Sequence, residues 1–464
     1  MLCYDTPRKE STMKLSEMIS MPLECGGNGR CGKCKLRVSG ALSPLSPQER
    51  GLLTQEEIEA GYRLACMTEI EGDYTIHSLP SERLAVQLDF TELAGAPSSG
   101  REGIGAAIDI GTTTLAAYWY DLSSGRRINT KSAANPQRIF GADVISRIEH
   151  AAKGRLPQLS ACLRQAVLSL LPPVYEHLVL TGNTTMLYLL CGYDPAELAS
   201  APFHARHTFG FQRGTVMLPP CFSAYIGADL ACAALAAGFA SHLPEKPTLL
   251  LDIGTNGEML LAANGLLYGC SAAAGPAFEG NHISCGLPSV PGAICHVQPD
   301  FSYETIENLP AKGYCGSGIL DITAALLDHG ALSASGVLSA WPAPALPLLT
   351  QQDIREIQLA KAAIAAACQA LMHAAHVDAL DTLYLAGGFG SQLSPESARQ
   401  IGLLPPARHT LSLGNAAGHG SAMLLLNPAL LEKVLALKKS FRLCELADDP
   451  FFTDAFMSCM RFPE

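Results

Sequence analysis

Charged side chains are sparse in this sequence, 16% of 464 residues, and they never gather into a long run of one sign. Thirty-two Lys and Arg stand against 43 Asp and Glu, a net charge of -11, so no segment is suited to follow a phosphate backbone and nucleic acid is excluded as a partner. Long hydrophobic runs are missing as well. The chain is 48% hydrophobic, yet no uncharged apolar stretch reaches membrane-spanning length. The first twenty residues scatter Arg8, Lys9, Glu10, Lys14 and Glu17 among isolated apolar positions, which leaves no apolar centre for a secretory signal. A cytoplasmic protein without membrane contact is the expectation. Cysteine, by contrast, is plentiful: sixteen residues, but diluted over a long chain with no export signal, which favours reduced thiols and metal ligands over disulfides. The length gives room for about two to four compact units with sizeable cores.

Cys and Gly are densest in residues 1–83, where a strand-like Tyr74-Thr75-Ile76-His77 precedes Pro80, and this stretch reads as one small domain. Residues 84–103 end in Ala94-Gly95-Ala96-Pro97-Ser98-Ser99-Gly100 and have linker composition. Apolar strands then alternate with amphipathic helices: 104–110, 114–120, 144–152, 177–180, 248–253, 258–262, 354–372 and 383–386. That is α/β architecture. An internal repeat divides it, since Asp109-Ile110-Gly111-Thr112-Thr113-Thr114 recurs as Asp252-Ile253-Gly254-Thr255-Asn256-Gly257. Each copy ends an apolar strand and leads into another, so both predict β-hairpins whose turns face one ligand. Two lobes follow, 104–245 and 246–464, with a cleft between them.

Cys25, Cys31 and Cys34 form a C-x5-C-x2-C loop, and Cys66 supplies a fourth thiol. A 2Fe-2S cluster needs four thiolates around two irons, with backbone N-H groups near its sulfurs. Gly26, Gly27, Gly29 and Gly32 let a loop wrap that closely. Zinc is the competing metal, but a zinc knuckle usually pairs two C-x2-C units, whereas here three ligands share one loop. Arg30, Lys33, Lys35 and Arg37 give this loop a basic rim that an acidic electron donor could meet.

In each repeat the carboxylate, Asp109 or Asp252, stands where it could hold Mg²⁺ through water. Thr112, Thr113, Thr114 and Gly254, Thr255, Asn256, Gly257 offer N-H groups and hydroxyls to phosphate. A third loop, Gly387-Gly388-Phe389-Gly390, follows an apolar strand and permits close approach to an adenosine.

These three loops, in this order, resemble the two phosphate motifs and the adenosine motif of the acetate kinase, Hsp70 and actin superfamily. Longer strings narrow the likeness: Asn135-Pro136-Gln137, the run from Gly141 to Ile148, Thr181-Gly182-Asn183-Thr184-Thr185-Met186, Ala273 to Gly280, Tyr314-Cys315-Gly316-Ser317-Gly318 and Gly414-Asn415-Ala416-Ala417-Gly418. Together with the cysteines they resemble the reductive activators of corrinoid-dependent methyltransferases, over most of residues 15–464. The resemblance implies an N-terminal β-grasp 2Fe-2S ferredoxin-like domain followed by a duplicated RNase H-like ATPase. Only 24 residues precede Cys25, so the opening hairpin of the ferredoxin fold is expected to be curtailed, and the linker leaves no space for a separate middle region.

The implied activity is ATP-dependent return of Co(II) to Co(I) on a corrinoid protein or methyltransferase. A plant-type cluster sits near about -400 mV, and each ~100 mV of deficit costs about 2.3 kcal/mol per electron, so ATP would supply the bias. The implied cofactors are the 2Fe-2S cluster, ATP and Mg²⁺. Asp109, Asp252 and Glu258 are the implied catalytic carboxylates, with Glu258 placed to position the attacking water. Flavodoxin, ferredoxin or a reductase would donate the electron, and a homodimer is compatible with the family. Two other functions fit parts of the sequence. A radical-dehydratase activator shares the ATPase but carries a 4Fe-4S cluster between subunits, and a small-molecule kinase with a redox-sensing domain would need an acceptor site that no motif supplies.

Overall fold

The computed structural model describes residues 13–19, 21, 23, 25–78, 89–90, 100–254, 256–390 and 392–464. Thr255, Pro80, Arg8, Lys9, Glu10 and the Ala94 to Ser99 part of the expected linker lie outside them.

The first unit is a four-stranded antiparallel sheet of β1 (Met13–Lys14), β2 (Lys35–Leu42), β3 (Tyr62–Leu64) and β4 (Glu69–Ser78), in the order β1-β4-β2-β3. Among the described residues, what precedes the cysteine loop is only β1 and the four-residue helix Leu15–Met18. Leu15, Leu36 and Leu64 close a small core. Two short helices, Pro47–Leu52 and Gln55–Glu59, each begin on a reciprocal cap, Ser46 with Glu49 and Thr54 with Glu57. Glu49 does more than cap. Fully buried, it accepts hydrogen bonds from Arg63 at 2.8 Å, from the Leu64 N-H at 3.1 Å and from the Thr68 hydroxyl at 3.0 Å. That knot fixes the segment carrying Cys66, while the Ala65 N-H donates to the Cys34 carbonyl at 3.0 Å.

The rest of the chain builds one topology twice. β5 (Ile104–Ile110), β6 (Thr114–Asp121) and β7 (Arg126–Ala134) form an antiparallel meander, and β5 then pairs in parallel with β8 (His177–Gly182). β9 (Phe209–Arg213) and β10 (Val216–Pro220) complete the order β7-β6-β5-β8-β10-β9. In the second lobe β11 (Thr248–Ile253), β12 (Gly257–Ala263) and β13 (Leu266–Ala272) repeat the meander. A small sheet of β14 (Ala293–Val297), β15 (Tyr303–Thr305) and β16 (Gly313–Tyr314) is inserted, and β17 (Leu380–Ala386), β18 (Ala407–Gly414) and β19 (Phe441–Leu443) give the order β18-β17-β11-β12-β13-β19. The duplicated Asp-x-Gly strings therefore mark equivalent hairpins, β5-β6 and β11-β12.

Two helices of small residues, Ala228–Ala236 and Ala416–Leu426, pack together where the lobes meet. A Cβ on Gly420 would lie 1.9 Å from the Cys232 carbonyl oxygen, so glycine is what allows their backbones to touch. Among the described residues no helix is long and apolar enough to cross a membrane.

Candidate functional site

The cysteine loop gathers its thiols in two pairs. The Cys34 thiol donates to the Cys66 sulfur at 3.3 Å. A shared hydrogen bond between Cys25 and Cys31 lowers the pKa of Cys25 and raises that of Cys31. A backbone N-H reaches these sulfurs as well: Arg30 donates to Cys25 Sγ at 3.5 Å. Gly26, Gly27, Gly29 and Gly32 all have positive φ, between 63° and 81°, which turns the loop so that its amides face inward. Two thiols for each of two irons, on a glycine-rich loop, is the donor set that a 2Fe-2S cluster takes, and the residues present fit it.

The basic rim expected from the sequence is largely spent inside the molecule. Lys35 pairs with Glu57 at 2.8 Å, and Lys33 reaches across to the second lobe, where its ammonium donates to the Gly286 carbonyl at 3.0 Å. Arg30 and Arg37 remain at the exposed edge.

Between the lobes lies a cavity of ≈ 490 Å³. It brings together Asp109, Thr112, Thr113 and Thr114 from the first lobe with Asp252, Gly254, Asn256, Glu258, Gly387, Gly388 and Phe389 from the second. Gly257 begins β12 and Gly390 ends the third loop just behind this wall, while Thr255 lies outside the described residues. Met21 and Lys33 of the cysteine-bearing unit also line the cavity, so that unit sits at its mouth.

The turn from Gly111 to Thr114 is held from behind. Arg147, fully buried, donates to the Thr112 carbonyl at 2.6 Å and to the Gly141 carbonyl at 3.0 Å, while the Asn135 amide donates to the Gly111 carbonyl at 2.8 Å. Asn183 caps the helix Thr184–Cys191 with its side-chain oxygen and donates from its amide nitrogen to the Thr112 hydroxyl at 3.0 Å. The strings around Asn135, Arg147 and Asn183 thus share one task, setting the turn. Gly387 has φ 83° and a Cβ there would lie 2.2 Å from Asp252 Oδ1, so only glycine lets this loop close over the carboxylate. Phe278 and Phe389 stack at 5.3 Å in the same wall, an apolar surface for a purine ring.

The floor is a set of desolvated carboxylates. Burial raises the pKa of Asp109 to about 6, against a hydrogen bond from Asn415 at 3.1 Å. Burial and the neighbouring charge of Asp109 raise Asp252 to about 7. Glu258, directly across the β11-β12 ladder from Asp252, is pushed well above the ordinary range by burial and by Asp229 and Asp252. Such a group holds protons when empty and gains most from a cation. Asp229 is the member that the sequence reading passed over. It opens the helix Ala228–Ala236, and burial followed by Asp109 raises it to about 8. Its one trace in the sequence is the string Gly227-Ala228-Asp229, which repeats Gly141-Ala142-Asp143.

Comparison with known proteins gives the same assignment. The 2Fe-2S iron-sulfur cluster binding domain matches residues 10–71, the RACo middle region residues 104–242, and the C-terminal domain of RACo, the ASKHA domain, residues 246–346 and 347–464. The expectation that no middle region is present is corrected by the second match, which falls on the β5–β10 lobe. The corrinoid activation enzyme RamQ of Eubacterium limosum is 32% identical across 78% of this chain and 71% of its own length. The [Co(II) methylated amine-specific corrinoid protein] reductase of Methanosarcina barkeri is 29% identical across 57% of this chain and 58% of its own. The solved structure of a reductive activator for corrinoid,iron-sulfur protein superposes with a TM-score of 0.67 at 25% identity, covering 97% of this chain and 96% of that one. The chain belongs to the reductive activators of corrinoid proteins, with an iron-sulfur domain and an ATP-binding ASKHA domain in one polypeptide.

Proposed function

We propose that this protein uses ATP to drive one electron from its 2Fe-2S domain onto Co(II) of a corrinoid protein, returning it to Co(I). The observation that carries this is the seating of a four-thiol loop at the mouth of a two-lobed nucleotide cleft, both on one chain. When bound to Cys25, Cys31, Cys34 and Cys66, the cluster supplies the one-electron step. The chain's own residues do the rest. Asp109 and Asp252 would hold Mg²⁺, with Asp229 and Glu258 close enough to have their own pKa values raised by these neighbours and so to share the charge. Thr112 to Thr114 and Gly254 to Gly257 would receive the phosphates, Gly387 to Gly390 and Phe278 the adenosine, and Glu258 would orient water. Closure of the lobes gives ATP different contacts in two states, and only such a difference can bias an unfavourable transfer. An exposed edge at Arg30 would meet an acidic electron donor such as a flavodoxin, a ferredoxin or a reductase.

The test is anaerobic. The purified chain, a reductant and a Co(II) corrinoid protein are mixed with and without Mg-ATP, and cobalt is followed by its visible spectrum. ATP-dependent loss of Co(II) with gain of Co(I) supports the proposal. Equal rates without ATP overturn it.

A further inference from the structure

We infer that Lys33 is a positioning residue that transmits the state of the nucleotide cleft to the cluster, by bonding the cleft wall with its side chain while its backbone lies between the ligands Cys31 and Cys34. The inference rests on the cleft being the ATP site. Its elements are all local. The Lys33 ammonium donates to the carbonyl of Gly286 at 3.0 Å, and Gly286, Leu287 and Ser289 line the nucleotide cavity in the second lobe. The same residue stands between the ligands Cys31 and Cys34 and is joined to Cys34 by its peptide bond, so it cannot move without moving the ligand loop. Hydrogen bonds to cluster sulfurs are among the determinants of a cluster's potential. One residue therefore joins the wall of one site to the electronic surroundings of the other.

The acceptor side is stiff. A Cβ on Gly286 would lie 2.3 Å from the Gly280 carbonyl, and the Leu287 N-H donates to the Tyr314 carbonyl at 2.8 Å, so Gly286 moves only with its lobe. The other end of the cysteine loop is tied to the opposite lobe. The Leu23 N-H donates to the Arg138 carbonyl at 2.9 Å, and Gly26 packs on Ser146. The loop thus straps the cleft, with Gly26 on the first lobe and Lys33 on the second. Any change in lobe separation on binding nucleotide has to stretch the strap or release Lys33, and either shifts the backbone between Cys31 and Cys34.

The experiment uses the full chain with its cluster, at saturating Mg-ADP or a non-hydrolysable Mg-ATP analogue, with occupancy measured by calorimetry. The reduced cluster's EPR spectrum and midpoint potential are recorded with and without nucleotide, together with hydrogen exchange of the amides from Gly29 to Lys33. In the unaltered chain the triphosphate analogue is expected to shift spectrum and potential and to speed exchange roughly tenfold, the loss of one charge-assisted hydrogen bond. Lys33→Ala should remove the nucleotide response and leave the spectrum fixed, while Lys33→Arg should keep it. If Lys33→Ala does not hold its cluster, Lys33→Met, which keeps the apolar stem and removes only the ammonium that bonds Gly286, takes its place and should blunt the response. A full response in Lys33→Ala, or in that substitute, overturns the inference. So does a nucleotide-loaded unaltered chain whose cluster does not respond. Calorimetry showing no nucleotide bound at all would instead remove the ATP reading on which the inference stands.

Discussion

Asp229, Asp109, Asp252 and Glu258 are buried together on the wall of one cavity, and like charges so placed cannot all ionise. The empty folded protein therefore holds protons on carboxyls whose pKa values are raised to about 6, 7 and 8, while the unfolded chain releases them near the ordinary 3.8. Over that window the folded state binds more protons, so stability falls as pH rises from about 4 to about 8. Without nucleotide, the melting temperature should be higher at pH 6 than at pH 8, and Asp229→Asn should flatten the dependence and raise the value at pH 8. On the proposed reading, in which these carboxylates hold Mg²⁺, the same substitution should cut ATP hydrolysis by roughly 100-fold or more. A melting curve unchanged by Asp229→Asn at pH 8 would show that this carboxyl is not strained. Gly387→Ala tests the opposite wall. Its Cβ would strike Asp252 at a positive φ, at a cost of about 1–3 kcal/mol, so denaturant unfolding should shift to lower concentration and nucleotide binding should weaken. Sequence reading found Asp109 and Asp252 because each ends a strand in a Gly-Thr turn, a local signature. Asp229 begins an alanine-rich helix, and only the meeting of the lobes gives it a function.

The elements read best were those whose pattern is local. The strand at 248–253 and the helix around 354–372 carry uninterrupted apolar periodicity, and the structure places β11 (Thr248–Ile253) and the helix Gln351–Ala374 there. β7 gave no such signal, because as an edge strand it alternates exposed and half-buried positions with hardly an apolar residue. Arg147 shows the same limit in a functional element. A basic residue in an amphipathic helix reads as a solvated face, but this one is fully buried and braces the Gly111 to Thr114 turn through carbonyls that would otherwise be unpaired. Arg147→Met should cost about 2–4 kcal/mol, the penalty for one or two buried acceptors left without donors, and should raise the Kd for nucleotide. Titration with a fluorescent nucleotide analogue beside urea melts would separate the two effects. Unchanged affinity in a destabilised variant would confine Arg147 to the fold.

At the scale of the molecule the two functional units are joined twice, through the strap at Lys33 and through the linker, and neither joint is visible in a sequence because each depends on contacts between distant residues. The linker's Phe90 is buried where the lobes meet. It stacks on His419 at 4.6 Å, lies edge-on to Tyr118 at 5.1 Å and is covered by the Arg127 guanidinium at 5.1 Å. Beside it the Asn415 N-H donates to the Asp89 carbonyl at 3.3 Å, and Asn415 in turn donates from its side chain to Asp109. Gly414 permits this approach, since a Cβ there would lie 2.3 Å from the Asp89 oxygen. The linker from the cluster domain is therefore pinned two hydrogen bonds from a nucleotide-site carboxylate. Phe90→Ala should free it, loosen Asn415 and weaken nucleotide binding by about tenfold, the contribution of one hydrogen bond to a charged group. The cluster's visible spectrum should be unaffected, because Phe90 touches none of its ligands. Phe90→Leu keeps the apolar plug without the ring stack and should fall between. Calorimetric affinities for the three proteins decide the matter: equal values would mean that the linker is a passive tether, and a graded loss would mean that its seat belongs to the nucleotide site.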